Sequence, residues 1–303
     1  MSLSGVHLLL SYACTHECDH CFLYCSPRAE GTFTLAQVEE LLDQARAMPG
    51  VSEIYFEGGE PFLFHPLLVA GLEAAAARGF RTGVVTNCYW ATSVEDARLW
   101  LAPLAKAGLG DLSVSDDEFH RGDDEEGPAA RAARAGEQVG LDPLSICIEK
   151  PSVQEPHDGK GDPVVGGGVL LKGRAADLLT EDLPTRPRES FVTCPHEELE
   201  SPKRVHVDAL GHVHVCQGVV IGNVWERPLA DIMAGYAALS HPICGPLVRG
   251  GPNALAAEYD VKLVGEFVEE CHMCFVTRRA LLERFSRELA PRQVYGVETP
   301  SPE

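Results

Sequence analysis

The sequence lacks two features of membrane and exported proteins. It has no apolar run long enough to span a bilayer, and no basic segment precedes the short apolar run in its N-terminus, MSLSGVHLLLSYAC. Neither a membrane-spanning helix nor a signal peptide is therefore predicted, and no membrane partner is expected. We predict a cytoplasmic protein.

Basic residues are also scarce. The chain has 303 residues, with 25 Lys and Arg against 45 Asp and Glu, so its formal net charge is −20. Because such an acidic surface repels phosphate backbones, nucleic acid is not expected as a partner. Residues 16–20, HECDH, match the H-E-x-x-H spacing, but that motif binds zinc from a helix and no helix is predicted here, so the match does not support a zinc-dependent hydrolase.

Cysteine, by contrast, is abundant, with 11 residues. In a reducing compartment, clustered thiols bind metal or perform chemistry more often than they form disulfides. An odd number also fits a complete disulfide framework poorly. The cysteines therefore indicate metal sites.

The first half of the chain alternates apolar runs with amphipathic segments. Strands are predicted at 6–12, 52–58, 81–87, 111–115 and 144–149, and helices at 34–48, 66–79, 93–108 and 128–140. Thr34 is the predicted N-cap of the first helix. This alternation indicates parallel βαβ units. We predict an α/β fold with a partial TIM-like barrel, and a doubly wound open sheet is the competing arrangement.

The pattern breaks after residue 150. A long Pro- and Gly-rich loop is predicted at 151–168. We then predict a sixth strand and a short helix within 169–179, and a linker at 181–190. Alternation around a glycine predicts a β-hairpin at 205–216, followed by a strand and helix start at 218–233 and a last helix at 276–289. The predicted domains are 5–180 and 191–290, with a polar tail at 291–303.

Three cysteines crowd the loop after the first strand. Cys14, Cys18 and Cys21 have the spacing C-x3-C-x2-C, which can wrap three thiolates around an iron–sulfur cube and leave one iron open. In parallel α/β folds, chemistry lies beyond the carboxyl ends of the strands, where this loop falls. Two alternatives stay open. One is a zinc site completed by Cys25 or by a histidine of the loop (16 or 20), and the other is a closed cluster in which Cys25 binds the fourth iron.

A second motif, EGGEP at 57–61, ends the second strand. Its two adjacent glycines expose backbone amides and carbonyls with no side chain in the way. Such a strand end can hydrogen-bond the amino group of a bound amino acid. Taken alone, an ordinary turn between a strand and a helix explains the same residues.

Together, the two motifs resemble the radical S-adenosylmethionine (radical SAM) superfamily. The resemblance implies an enzyme with a (β/α)6 barrel and a [4Fe–4S] cluster. The implied cluster ligands are Cys14, Cys18 and Cys21. The implied lining of the site for the methionine part of SAM is Gly58, Gly59, Glu60 and Pro61. One electron, supplied by a donor such as flavodoxin or ferredoxin, would cleave SAM and give a 5′-deoxyadenosyl radical that takes hydrogen from the substrate.

Three further residues fit the family more loosely. Ser115 and Asp117, in SDDEFH, could reach the SAM ribose or carboxylate, or the substrate. Arg174, in KGRA, could pair with the SAM carboxylate. A solvated acidic loop and a surface arginine are the competing interpretations. His20 stands where the family commonly has an aromatic residue, and an imidazole can still stack on adenine. No catalytic residue is assigned.

The C-terminal third holds a second cysteine set. Its members resemble the ligands of SPASM and Twitch domains, which append a hairpin, a helix and an auxiliary cluster to a radical SAM barrel. The implied ligands are Cys194, Cys216, Cys271 and Cys274. Because the further cysteines of the full SPASM pattern are missing, a Twitch-like α+β domain with one auxiliary [4Fe–4S] cluster is expected. A structural zinc, unligated buried cysteines, and Cys244 in place of Cys194 stay open.

The leading hypothesis is therefore a radical SAM enzyme that acts on a peptide or a small molecule, in biosynthesis or peptide maturation. Relatives with SPASM or Twitch domains often modify peptides, and others act on small molecules. Because the chain begins at its first strand, no N-terminal recognition domain is expected. The alternative is a non-catalytic iron–sulfur electron carrier, which needs Cys25 to close the first cluster, or a zinc-stabilised binding protein.

Overall fold

The computed structural model describes residues 3–121, 126–154 and 163–297. Its strands are β1 (Gly5–Ser11), β2 (Glu53–Gly58), β3 (Arg81–Thr86), β4 (Asp111–Ser115), β5 (Asp142–Ile146), β6 (Ser152–Gln154), β7 (Val164–Gly166), β8 (Arg204–Asp208), β9 (His212–Cys216) and β10 (Val219–Asn223). Its α-helices are α1 (Leu35–Arg46), α2 (His65–Ala77), α3 (Val94–Lys106), α4 (Glu118–Arg121), α5 (Gly127–Gln138), α6 (Arg174–Leu178), α7 (Leu229–Gly235), α8 (Cys244–Glu258) and α9 (Glu270–Ala280).

Eight of these strands form one sheet in the order β10-β9-β8-β1-β2-β3-β4-β5. Strands β1 to β5 and β8 run parallel, whereas β9 and β10 are antiparallel to their neighbours. The predicted mixed α/β fold with a parallel sheet is confirmed. The carboxyl ends of β1 to β4 lie at the same edge of the sheet, and the loops that follow them meet there.

The sequence forms these units for local reasons that the structure displays. In β1, Leu8, Leu9 and Leu10 are all buried. Because neighbouring side chains point to opposite faces, this strand is covered on both faces, as expected in a parallel sheet. Thr34 is the N-cap of α1, and its hydroxyl oxygen accepts a hydrogen bond from the Gln37 amide in a capping box. The apolar face of α1 then packs into the core.

The sixth parallel strand is β8, not a strand within 169–179. Strand β8 pairs with β1 from Gly5 opposite Arg204 to Leu9 opposite Asp208. Residues 169–173 form no strand, so the predicted strand is wrong, whereas the predicted short helix is confirmed as α6. The physical reason is that the Arg174 amide donates to the Cys21 carbonyl, which ties this segment to the cysteine loop rather than to a sheet edge.

The remaining C-terminal elements follow the predictions in part. The hairpin at 205–216 is confirmed as β8 and β9, and the strand and helix within 218–233 as β10 and α7. Residues 151–168 are not only loop, because β6 and β7 pair there, while residues 155–162 lie outside the described residues. The prediction of a last helix at 276–289 is only partly correct. Helix α9 begins at Glu270 because the Glu269 carboxylate caps it, and it ends at Ala280, so residues 281–289 are not helical.

The predicted division into two domains crosses a continuous sheet, since β8 to β10 extend the sheet of β1 to β5. The boundaries at 181–190 therefore stay a prediction. Every described helix is too short or too polar to traverse a bilayer. The cytoplasmic location also stays a prediction.

Candidate functional site

The loop after β1 brings the three predicted cluster cysteines to one cavity of about 290 Å3. Cys14 is buried, and Cys18 and Cys21 are half-buried. The same cavity is lined by the ends of β2, β3 and β4, through Gly58, Gly59, Thr86, Asn87, Ser115 and Asp117. The site therefore lies at the carboxyl edge of the parallel sheet.

The paired glycines at the end of β2 allow close contact with the cysteine loop. The Gly59 amide donates to the Ser11 carbonyl at 2.7 Å, and the Glu60 amide donates to the Ala13 carbonyl at 2.9 Å. A Cβ on Gly59 would lie 2.0 Å from the Ala13 oxygen, and Gly58 has a φ of +127°. Glycine is therefore required at both positions for steric and conformational reasons.

Glu60 and Pro61 lie behind the cavity wall rather than in it. The Glu60 carboxylate is fully buried and accepts hydrogen bonds from the Phe62 amide, the Thr86 hydroxyl and the Asn87 amide at 2.8–3.0 Å. Burial raises the pKa of Glu60 to about 7. These contacts position the end of β3, where the Asn87 side-chain amide donates to Cys14 Sγ at 3.4 Å. Direct contact of Glu60 and Pro61 with SAM stays a prediction.

The end of β4 contributes a carboxylate–imidazole pair. Asp117 is buried, and its Oδ1 lies 2.7 Å from His120 Nδ1. The other ring nitrogen of His120 lies 3.5 Å from Cys18 Sγ. His20 packs against Phe119 with a ring-centroid distance of 4.2 Å. Sequence reasoning missed His120, although the quoted SDDEFH segment ends with it.

Arg174 holds the backbone of the cysteine loop. Its two Nη atoms donate to the carbonyls of Cys18 and Cys25 at 2.8 and 2.9 Å. Its guanidinium also lies 5.1 Å from the centre of the Tyr24 ring. The two guanidinium NH2 groups thus both bind loop carbonyls, and pairing with the SAM carboxylate stays a prediction.

The three loop cysteines fit a metal cluster by their donor chemistry. Burial raises the pKa of Cys14 to about 11 and that of Cys18 to about 12, so both are neutral thiols without a metal cation. Three sulfurs on one wall of an open cavity leave room for a further ligand on a bound metal centre. Cys25 is buried beside them, and its amide donates to Cys21 Sγ at 3.4 Å.

A carboxylate flanked by two histidines lies on the neighbouring wall. Glu57 lines the cavity, and its Oε1 lies 3.2 Å from His7 Nδ1 and 3.0 Å from His206 Nε2. Although burial raises the pKa of Glu57, the two histidines outweigh it and hold that pKa well below its usual range. The cavity therefore has an ionised carboxylate at its edge. Residues 7 and 206 come from paired strands β1 and β8, a pairing that the sequence did not predict.

The four C-terminal cysteines line a second, narrow cavity of about 20 Å3. Cys216 ends β9, Cys271 and Cys274 begin α9, and Cys194 precedes β8. Such a closed set of four sulfurs is of the kind that holds either one zinc ion or one [4Fe–4S] cluster. Cys244 is buried at the start of α8 and is not part of this lining.

Comparison with known proteins shows one family match, in the N-terminal part of the chain. Residues 8–121 match the family model described as the Radical SAM superfamily. The putative peptide biosynthesis protein YydG of Bacillus subtilis (strain 168) is 24% identical over 115 residues. This match covers 38% of the present chain and 36% of YydG, so the chain matches little more than a third of that relative's length.

Two solved structures are similar to the chain, each with a TM-score below 0.5. BtrN in complex with AdoMet and 2-DOIA has a TM-score of 0.47 and 18% identity, over 76% of this chain and 81% of BtrN. The anSMEcpe structure with bound AdoMet and Cp18Cys peptide has a TM-score of 0.45 and 14% identity, over 96% of this chain and 98% of anSMEcpe.

Residues 8–121 match a radical SAM domain, and this match supports an enzyme. That family implies a [4Fe–4S] cluster and SAM as cofactors. The comparisons leave the reaction open.

Proposed function

We propose that this enzyme binds SAM in the cavity beside the cysteine loop and uses it to modify a peptide. The [4Fe–4S] cluster would be held by Cys14, Cys18 and Cys21, with the SAM methionine group against the end of β2. The observation that carries the proposal is the cavity itself, which the three cysteines share with Gly58 and Gly59. When bound, the cluster would supply the electron that cleaves SAM to a 5′-deoxyadenosyl radical.

The residues of the chain would position these groups. Arg174 holds the loop carbonyls, and Asn87 donates to Cys14 Sγ, so the loop is kept in one conformation. Ser115 and Asp117 line the same cavity, where SAM or the substrate would bind. The electron donor, of the flavodoxin or ferredoxin kind, belongs to the same proposal.

A peptide substrate is favoured by one relative. YydG is described as a putative peptide biosynthesis protein, and its match to this chain extends over 115 residues. Glu57 gives the cavity an ionised carboxylate, which would favour a cationic or hydrogen-bond-donating group of the substrate.

We further propose one auxiliary [4Fe–4S] cluster, held by Cys194, Cys216, Cys271 and Cys274. The four residues line one cavity although they come from three separate stretches of the chain. A complete set of four sulfurs leaves no open position, so an electron-transfer role is favoured over substrate binding.

Anaerobic reconstitution tests both sites together. We expect about eight irons per chain, corresponding to two four-iron clusters, and release of 5′-deoxyadenosine when SAM and a strong reductant are added. C18A should abolish the nucleoside and leave about four irons. C216A should lose the auxiliary iron and keep some nucleoside formation. C147A is the matched control, because Cys147 is exposed and belongs to neither set. Reduced, iron-loaded protein that never consumes SAM would refute the proposal.

A second candidate function is a non-catalytic electron carrier, and the position of Cys25 favours it. Cys25 is buried, lines the same cavity and contacts Cys21, so it is placed to complete a closed cluster. C25A separates the two functions. Under the leading proposal, C25A keeps its iron and its nucleoside production. If Cys25 binds the fourth iron instead, C25A loses iron, and SAM does not change the EPR spectrum of the parent protein.

A further inference from the structure

Two buried cations lie beside the four C-terminal cysteines. Lys172 is 4% exposed and Arg278 is 1% exposed, and both line the narrow cavity with the cysteines. Lys172 Nζ lies 3.8 Å from Cys216 Sγ and donates to Gln217 Oε1 at 2.8 Å. Arg278 donates from Nη1 to the Gln217 carbonyl at 3.0 Å, and its Nε is buried without a hydrogen-bond partner.

Nearby carboxylates do not balance these two charges. Glu197 Oε1 lies 3.8 Å from Lys172 Nζ, but the other oxygen of Glu197 is shared with Arg204 at 3.6 Å. Glu270, which also lines the cavity, pairs with Arg186 at 3.6 Å.

The next carboxylate, Glu269, accepts hydrogen bonds from the amides of Leu171 and Cys271. Within the described residues, Arg278 makes no ion pair. Since a buried charge without a partner is strongly destabilising, the cysteine group is expected to supply the negative charge.

We propose that Lys172 and Arg278 compensate the charge of the four-thiolate site and raise the reduction potential of its cluster. The inference rests on the proposed auxiliary cluster. Reduction adds one negative charge to a site that is already anionic. A cation a few ångströms away in a medium of low dielectric stabilises the reduced form more than the oxidised form.

The first cysteine loop offers a contrast within the same chain. Its nearest guanidinium, Arg174, is half-buried and directs both Nη atoms to backbone carbonyls. The buried carboxylate of Asp117 also lies near that loop, at His120. Two almost fully buried cations are therefore a particular feature of the C-terminal site among the described residues.

The test is an EPR-monitored redox titration of reconstituted full-length protein carrying C18A, in which the auxiliary cluster gives the signal. K172M and K172Q remove the charge at nearly constant length, and K172R keeps it. We expect both neutral variants to lower the reduction equilibrium constant about tenfold or more, which is about 59 mV for a one-electron couple. K172R should stay close to the parent. K106M, at an exposed lysine of α3, is the control, and its reduction potential should equal that of the parent.

The outcomes distinguish failure of this inference from failure of the proposed auxiliary cluster on which it rests. Absence of any auxiliary iron or EPR signal in C18A protein refutes the auxiliary cluster. A normal cluster signal whose potential is the same in the parent, K172M and K172Q overturns the charge inference alone. Equal shifts in K172R and K172M overturn it too, because they would point to packing rather than charge. Repeating the series as R278M and R278K tests the second cation, with circular dichroism to verify folding.

Discussion

Arg174 provides a direct test of how the cysteine loop is held. Its Nη atoms bridge the Cys18 and Cys25 carbonyls, which lie on either side of the third loop cysteine. R174M removes both hydrogen bonds. R174K keeps the charge, but one ammonium cannot reproduce the planar fork that reaches both carbonyls. The backbone bond from residue 174 to the Cys21 carbonyl remains in both variants.

The magnitude follows from these two bonds. Hydrogen bonds from a charged donor contribute about 1.5–3 kcal/mol each when buried. Because Arg174 is only half-buried, we discount the pair to about 2 kcal/mol for R174M. That corresponds to about a thirtyfold smaller population of the ordered loop, since about 1.4 kcal/mol is a factor of ten.

The assay is iron content at limiting iron, together with the dependence of 5′-deoxyadenosine formation on SAM concentration. R174M should lose iron from the first site and retain the C-terminal iron, while the molecules that keep both clusters show an unchanged KM for SAM. R227M, at an exposed arginine after β10, is the control. Full iron occupancy with a raised KM for SAM would refute the role of Arg174 in holding the loop and would favour a direct bond from Arg174 to the SAM carboxylate.

Three further variants test the surroundings of the site. D208N should lower the free energy of unfolding by about 3 kcal/mol in urea titrations, because a buried carboxylate that accepts five hydrogen bonds loses acceptors; a loss below about 1 kcal/mol would contradict this. Burial raises the pKa of Glu60 to about 7, so the folded chain keeps a proton that the unfolded chain has lost. The unfolding free energy should therefore fall as pH rises from about 4.5 to 7, and E60Q should flatten this slope; equal slopes would show that another group titrates. G59A should lose nucleoside formation but keep its C-terminal iron, because its Cβ would overlap the Ala13 carbonyl. G235A, which has room for a methyl group, should retain activity, and an active G59A would mean that the loop can shift.

The predictable part of the fold came from short-range patterns. Strands β1 to β4 are apolar runs that alternate with helical segments, and Thr34 is a local capping signal that the structure reproduces. The cysteine spacing and the glycine pair are also local. Their side chains and backbone must lie at one strand end each, and parallel strands bring those ends together.

The parts that could not be predicted depend on contacts between distant segments. Nothing in residues 204–208 indicates that they pair with β1, and an alternating hairpin pattern is equally compatible with a separate sheet. Lys172 and Arg278 look like surface residues in sequence, since charged side chains are seldom fully buried. Only the cysteines that surround them in the folded chain explain their burial.

Arg174 illustrates the same limit for a residue that sequence reasoning did find. The KGRA segment predicts a bond from Arg174 to SAM, yet the guanidinium of Arg174 donates to the carbonyls of the cysteine loop. Gly173, with a φ of +63°, packs so closely that a Cβ would lie 2.4 Å from Phe22 Cα. The residue types in this segment were informative. The contacts that each residue makes, however, depend on how residues 172–174 pack against residues 18–25.

Residues 172–174 also explain how the two cysteine sites keep a fixed separation. Lys172 directs its ammonium to Cys216 Sγ, while the Arg174 amide, two residues along the chain, donates to the Cys21 carbonyl. A second connection runs through the sheet, where β8 pairs with β1 on one side and, on the other, with β9, the strand that ends at Cys216. Because both connections use backbone and buried contacts, the relative position of the two sites is set by the fold rather than by exposed, mobile side chains. Electron transfer between two bound clusters would then occur over a constant distance, whatever substrate occupies the cavity between β1 and β4.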